Sequence, residues 1–296
     1  MVSVRCRPIV APDPSWQNAV LIRPEASITT MSPSPITVRS LAALKQGGDK
    51  IACLTCYDAS FAKLLERAGV EVLLVGDSLG MVCQGHRTTL TVTLEQMIYH
   101  AASVERARER SLLVVDMPFM SYSSPQCALE NAARLMREGG AQMVKLEGGA
   151  LLVETVRQLT RHGIPVCGHL GLLPQSIHRL GGYRVEGRDH ASAEAIRHDA
   201  LALQEAGAQL LVLECVPEEL AREVAVTLTI PVIGIGAGPG CDGQVLVLYD
   251  LLGITSGTPP RFSKNFLQGR DGIEAAVGAY VRAVKDGSFP GAEHCV

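Results

Sequence analysis

The chain has 296 residues, 47% of them hydrophobic, and a formal net charge of −3. That is ample apolar material for one large core and far from a disordered composition. The absence of long basic runs, or of an uninterrupted apolar stretch of ~18–20 residues, argues against nucleic-acid partners and a membrane span.

Residues 1–35 are rich in proline, show no sustained periodicity and lack the apolar centre of a secretory signal. We expect a disordered extension there, followed by one catalytic domain over 36–296 in a cytoplasmic protein. An organellar transit peptide is the alternative for the leader, although Asp13 and Glu25 offset Arg5, Arg7 and Arg23. The nine cysteines lie mostly inside apolar runs, as buried thiols in a reducing compartment would. Cys53 and Cys56 spell C-x-x-C, but no second pair follows, and residues three apart on a strand face opposite ways.

From Ile36 onward, apolar runs alternate with helical segments. IACLTCYD (51–58) precedes a helix near 59–68, and VEVLLVGD (70–77) precedes one near 93–109. SLLVVDMPF (111–119) leads to a helix near 125–138, and MVKLE (143–147) to one near 150–162. IPVCGHLG (164–171) opens a longer insertion before a helix near 191–206. AQLLVLEC (208–215) precedes a helix near 217–227, and IPVIGIGAG (230–238) is the seventh strand. LVLYDLLGI (246–254) is read as the eighth strand, with 271–286 as the closing helix. Strands buried on both faces read as continuous Val, Ile and Leu, and alternation with helices implies right-handed crossovers in a parallel sheet. Eight units predict a closed (β/α)8 TIM barrel, and the lack of a G-x-G-x-x-G after the first strand weakens a dinucleotide fold.

Several of these runs stop on chemistry. Asp77, Asp116 and Glu147 end the second, third and fourth strands, where adjacent strands ~4.8 Å apart would bring three carboxylates together. Any one acid alone is more often a helix cap or a salt-bridge partner. Three together repel one another unless a hard cation such as Mg²⁺ intervenes. Lys145 shares a strand face with Glu147, placed to pair with a carboxylate or to stabilise charge on a substrate oxygen. Glu214 lies among Leu211, Leu213 and Cys215, with no local partner, a setting that suits a general base. His169 is as easily a packed histidine as a functional one. The glycines from Gly234 to Gly238 would let backbone amides approach a ligand, a weak signal alone, and Asp58 reads as a loop or water orienter.

The motifs TCYDASFA, VGDSLGMVCQGH, DMPFMSY, VKLEGG, GHLGLLPQS, LGGYRVEGR, LLVLECVP, IPVIGIGAG and PRFSKNF, in this order, resemble the ketopantoate hydroxymethyltransferase family from about Ile36 to about His294. Residues 1–35 have no counterpart in typical members, and Leu173 stands where threonine is common. The resemblance implies a TIM barrel of the phosphoenolpyruvate/pyruvate type. It implies transfer of a hydroxymethyl group from 5,10-methylenetetrahydrofolate to 3-methyl-2-oxobutanoate, giving 2-dehydropantoate and tetrahydrofolate in pantothenate biosynthesis. Carried onto this chain, the metal positions fall on Asp77, Asp116 and, through water, Glu147. The substrate contacts fall on Asp77, Ser78, Asp116 and Lys145, and the base on Glu214. Mg²⁺-assisted enolisation follows, with Lys145 holding the developing charge and His169 near the keto oxygen. Family members assemble as large homo-oligomers, so a homodecamer is expected, with small molecules as the other partners. The alternative is a related barrel of the phosphoenolpyruvate mutase and isocitrate lyase type, whose members with lyase activity carry a mobile loop with a catalytic cysteine, and no K-K-C-G-H-like stretch occurs. A barrel that merely senses an oxo acid would have no need of Glu214.

Overall fold

The computed structural model describes residues 34–182, 184–255 and 257–296. The expectations of disorder or targeting before Ser34 lie outside the described residues. Eight short strands run β1 (Ile51–Thr55), β2 (Val72–Val75), β3 (Leu112–Asp116), β4 (Met143–Glu147), β5 (Val166–Gly171), β6 (Leu210–Glu214), β7 (Val232–Ile235) and β8 (Gly243–Leu246). All neighbours are parallel, in sequence order, and β8 pairs back to β1 to close the barrel.

The period of two along each strand decides what lies inside. Cys53, Val72, Leu74, Leu112, Val114, Met143, Cys167, Leu210, Val212 and Ile233 form the interior cluster. The alternate residues, among them Leu73, Val115, Leu146, Leu170 and Leu213, pack outward beneath the helices. Continuing the inward parity upward reaches Asp116 on β3, Lys145 and Glu147 on β4, His169 on β5 and Glu214 on β6. The lower barrel is therefore greasy and the upper mouth ionisable, from a single alternation.

A helix not foreseen in the sequence, Val38–Gly47, precedes β1. Thr37 and Ser40 form its capping box, and Leu41 with Ile36 joins the interior cluster, with Val38 and Leu44 packed against it. The helix thus supplies apolar side chains to the barrel interior. Lys45 ties it down by donating to Ala225 O, Ile230 O and Asp242 Oδ2 at 2.6, 2.9 and 2.8 Å.

The eighth strand corrects the expectation drawn from 246–254. Pairing stops at Leu246, and Leu248–Leu251 is a helical turn. The strand instead begins at Gly243, whose missing side chain is required: a Cβ there would lie 2.3 Å from Ile51 O and 2.7 Å from Ile233 Cδ1. Close approach of β1 and β7 therefore selects glycine over the β-branched residue that marks the other strands. The closing helix, Ile273–Lys285, sets the Tyr280 hydroxyl 2.9 Å from both Cys53 O and Gln244 O, sharing its proton across the seam between β1 and β8.

Candidate active site

The carboxyl ends of β2 to β6 converge on one buried polar cluster. At the end of β2 the chain turns through Gly76, where a Cβ would lie 2.7 Å from Ser78 Oγ and 3.5 Å from Asp116 Oδ2. That tight turn lets the Asp77 backbone N–H donate to Asp116 Oδ2 at 3.0 Å. Ser78 Oγ in turn lies 2.9 Å from the Tyr57 hydroxyl.

Register pairs Asp116 with Lys145 and Glu147 with His169 on adjacent strands. Lys145 Nζ sits 2.8 Å from Asp116 Oδ1, with both side chains 5% exposed, and 3.4 Å from His169 Nδ1. Glu147 Oε1 lies 3.6 Å from His169 Nδ1, and His169 Nε2 lies 3.2 Å from Glu214 Oε2. Glu214 is thus not the acid without a partner that its apolar neighbours implied. The imidazole comes from β5, 45 positions earlier in number, and no local reading of β6 could supply it. Asp58 is likewise corrected from loop orienter to helix cap: its Oδ1 accepts from Ser60 N and Phe61 N, starting Ala59–Arg67. The glycines after β7 make room for packing, since a Cβ at Gly236 would lie 2.9 Å from Phe262 Cδ1.

One residue of the cluster, Gln175, escaped the sequence reading. Gln175, in a short 3-10 turn after β5, donates from Nε2 to Asp77 Oδ2 at 2.8 Å and to Met117 O at 2.9 Å. Its backbone N–H donates to Glu147 Oε2 at 2.9 Å, and the Tyr122 hydroxyl donates to its Oε1. The only signal was a buried amide in an otherwise apolar GLLPQS stretch.

The electrostatics follow from this crowding. Burial first, then the charges of Asp116 and Glu147, push the Asp77 carboxyl well above the usual carboxylate range. Burial opposes the Lys145 ammonium, but Asp116, Glu147 and Asp77 outweigh it and raise it above ordinary lysine. Burial also raises Glu147, yet the imidazole beside it and Lys145 leave it lower than usual. His169 is pulled down by burial and by Lys145, and up by Glu147 and Glu214, which prevail and lift it to about 9.

With every group ionised, four carboxylates face only Lys145 and His169, leaving two negative charges to be met by protons or by a divalent cation. Asp116 Oδ1 is buried without a well-aligned hydrogen bond, and the available donors are hard oxygens, which fit Mg²⁺. Among the described residues, no three acidic, histidine or cysteine side chains already converge as a ready-made metal cage.

A family model described as Ketopantoate hydroxymethyltransferase matches residues 35–292. The chain belongs to that family. A 3-methyl-2-oxobutanoate hydroxymethyltransferase of Nitrosococcus oceani is 62% identical over 86% of this chain and 97% of its own length. One from Halorhodospira halophila is 58% identical over 88% of this chain and 94% of its own. The family relationship makes this chain an enzyme, a one-carbon transferase of pantothenate biosynthesis.

Among solved structures, 2,3-dimethylmalate lyase, a PEP mutase/isocitrate lyase superfamily member, superposes with a TM-score of 0.53 at 19% identity, covering 73% of this chain and 79% of that one. Phosphonopyruvate hydrolase in complex with oxalate and Mg²⁺ superposes with a TM-score of 0.54 at 12% identity, covering 87% and 92%. These two likenesses show the fold, the expected closed barrel of eight parallel strands with surrounding helices. Among the described residues no helix is long and apolar enough to cross a membrane.

Proposed function

We propose that the chain transfers a hydroxymethyl group from 5,10-methylenetetrahydrofolate to 3-methyl-2-oxobutanoate, giving 2-dehydropantoate and tetrahydrofolate. The observation that carries this reading is the placement of Glu214: 3.2 Å from His169 on one side of a mouth whose other side holds Asp77, Asp116 and Lys145. A base thus faces a place for an anionic, chelating substrate.

Asp77 and Asp116 would hold Mg²⁺, with Glu147 supporting through water. When bound, the ion supplies Lewis-acid polarisation of the oxo acid's carbonyl. Asp77, Ser78, Asp116 and Lys145 orient the substrate. Glu214 accepts the C3 proton, and His169 fixes the direction in which its carboxylate points. Lys145 balances the negative charge that appears on the substrate oxygen as the proton leaves. The resulting C3 carbon forms a bond to the methylene carbon as one of that carbon's two bonds to folate nitrogen breaks, and water replaces the second nitrogen to leave the hydroxymethyl group. The two freed nitrogens of tetrahydrofolate take the two protons released, one from C3 by way of Glu214 and one from the water.

The test is product formation from both substrates, with and without EDTA. Turnover that needs methylenetetrahydrofolate and returns on adding Mg²⁺ to chelated enzyme supports the reading. Full turnover in excess chelator would remove the metal, and no turnover under any condition would remove the reaction. The resemblance also carries assembly as a homodecamer and a cytoplasmic setting, which light scattering and fractionation would check.

A further inference from the structure

A cavity borders the acid cluster. About 410 Å³ in volume, it opens between the loops after β3, β4 and β5 and includes Glu147 and Gln175 in its wall. Its inner end is therefore shared with the site: Gln175 reaches from this wall to Asp77 Oδ2 at 2.8 Å, and Tyr122 lines the cleft while donating to Gln175. The other described cavity, lined by Lys264, Arg270 and Arg282, shares no residue with the acid cluster.

The rim has a different chemistry. Phe119, Met120 and Leu151 line it and are 45%, 60% and 97% exposed. Isolated surface apolar groups are ordinary, but three around one concavity are the mark of a ligand groove. Met120 holds a φ of +64°, a conformation uncommon outside glycine, which places a thioether at the rim at the expense of backbone comfort. The volume falls within the ~300–1,000 Å³ of small-molecule sites. A flat ring suits such a lining, with Phe119 for its face, the Met120 sulfur for its edge, and the Tyr122, Ser123 and Ser176 hydroxyls for polar ring atoms.

The reaction proposed above needs two substrates, and the oxo acid occupies the Asp77, Asp116 and Lys145 side. We propose that this cleft binds the ring system of the reduced folate and delivers its one-carbon unit past Glu147 and Gln175 to the substrate carbon. The inference rests on that reaction. It assigns a place to the co-substrate, which the acid cluster does not.

Four measurements on Leu151→Ser, Phe119→Ala and the double variant test it in the full-length enzyme. These are the KM for methylenetetrahydrofolate, the KM for the oxo acid, folate-independent exchange of the C3 proton in D₂O followed by NMR, and assembly size by light scattering. The double variant should raise the folate KM about tenfold or more, by loss of stacking and apolar contact. Its oxo-acid KM and exchange rate should stay within about twofold of the parent. An unchanged folate KM in an enzyme that turns over overturns the cleft alone. Loss of exchange together with folate affinity would mean that these loops merely shape the acid cluster, and it also overturns the assignment. So does a smaller assembly by light scattering with folate kinetics intact, which would give the rim to a second copy of the chain. A parent enzyme that exchanges the proton yet makes no product with methylenetetrahydrofolate would sink the reaction itself.

Discussion

Gln175 Nε2 donates to Asp77 Oδ2 at 2.8 Å across 98 positions of sequence. Because the same residue's backbone N–H holds Glu147 Oε2, one short turn after β5 spaces the acids of β2 and β4. Carboxylates that must be held near one another need such a donor to set their orientation.

Gln175→Ala should therefore weaken Mg²⁺ binding by about 10–100-fold, the usual effect of removing a partner of a metal ligand. Calorimetric titration of the purified variant measures this directly, and an unaltered affinity would show that Gln175 only fills space.

Glu214→Gln should lower C3 proton exchange by about 10²–10⁴-fold while metal-dependent binding of the oxo acid persists. The amide keeps the shape beside His169 but cannot accept the proton. Exchange at the parental rate would take Glu214 out of the base role.

Asp116→Ala removes the partner of a lysine that is 5% exposed and already held in its charged form. Breaking that buried pair, with only Glu147 and Asp77 left to balance the ammonium, should destabilise the protein by up to about 3 kcal/mol and lower Mg²⁺ affinity together. Urea denaturation and metal titration check the two effects, and Asp116→Asn should recover much of the first without the second.

Gly171→Ala would place a Cβ 2.2 Å from Glu214 O and 2.7 Å from Val216 Cγ1, at a φ of +89°. The expected loss is about 2–3 kcal/mol, with kcat falling because the strand that carries the base must shift. Wild-type melting behaviour would contradict the packing described for β5 and β6.

The metal-free enzyme should be less stable at pH 9 than at pH 6.5. A folded-state value for His169 raised from 6.5 to about 9 means that the folded form holds that proton more tightly. Its contribution is complete below the unfolded value and disappears as the pH rises through about 9, with an upper limit of about 3 kcal/mol. The raised Asp77 acts in the same direction. Saturating Mg²⁺ should flatten or reverse this slope, since ligands must lose protons to bind a cation. Urea midpoints across this range, with and without Mg²⁺, measure it, and a flat metal-free profile would be the contrary result.

What the sequence disclosed depended on whether local pattern and tertiary demand agreed. Asp116, Lys145 and Glu147 were visible because each sits at the inward parity at or near the end of an apolar run, whereas Asp77 also ends such a run but reaches the site through the turn at Gly76. β8 was misplaced because backbone crowding against Ile51 and Ile233 demands Gly243, while the apolar residues after Leu246 serve a helical turn. Gln175 and the His169–Glu214 contact were illegible for another reason. Their partners lie on other strands, and a hydrogen bond across 98 positions leaves no mark in either segment.

The hydroxyl of Tyr280 across the β1–β8 seam bears on how this enzyme is made. Every acid of the site has been translated by residue 214, yet the strand that closes the ring on β1 ends 32 positions later, and the side chain that braces that seam comes 66 positions later. A nascent chain therefore carries its whole catalytic inventory on an open sheet until β8 clears the ribosome, and its seam goes unbraced until Ile273–Lys285 follows. Late truncations should yield chains with all the reactive groups and no enzyme.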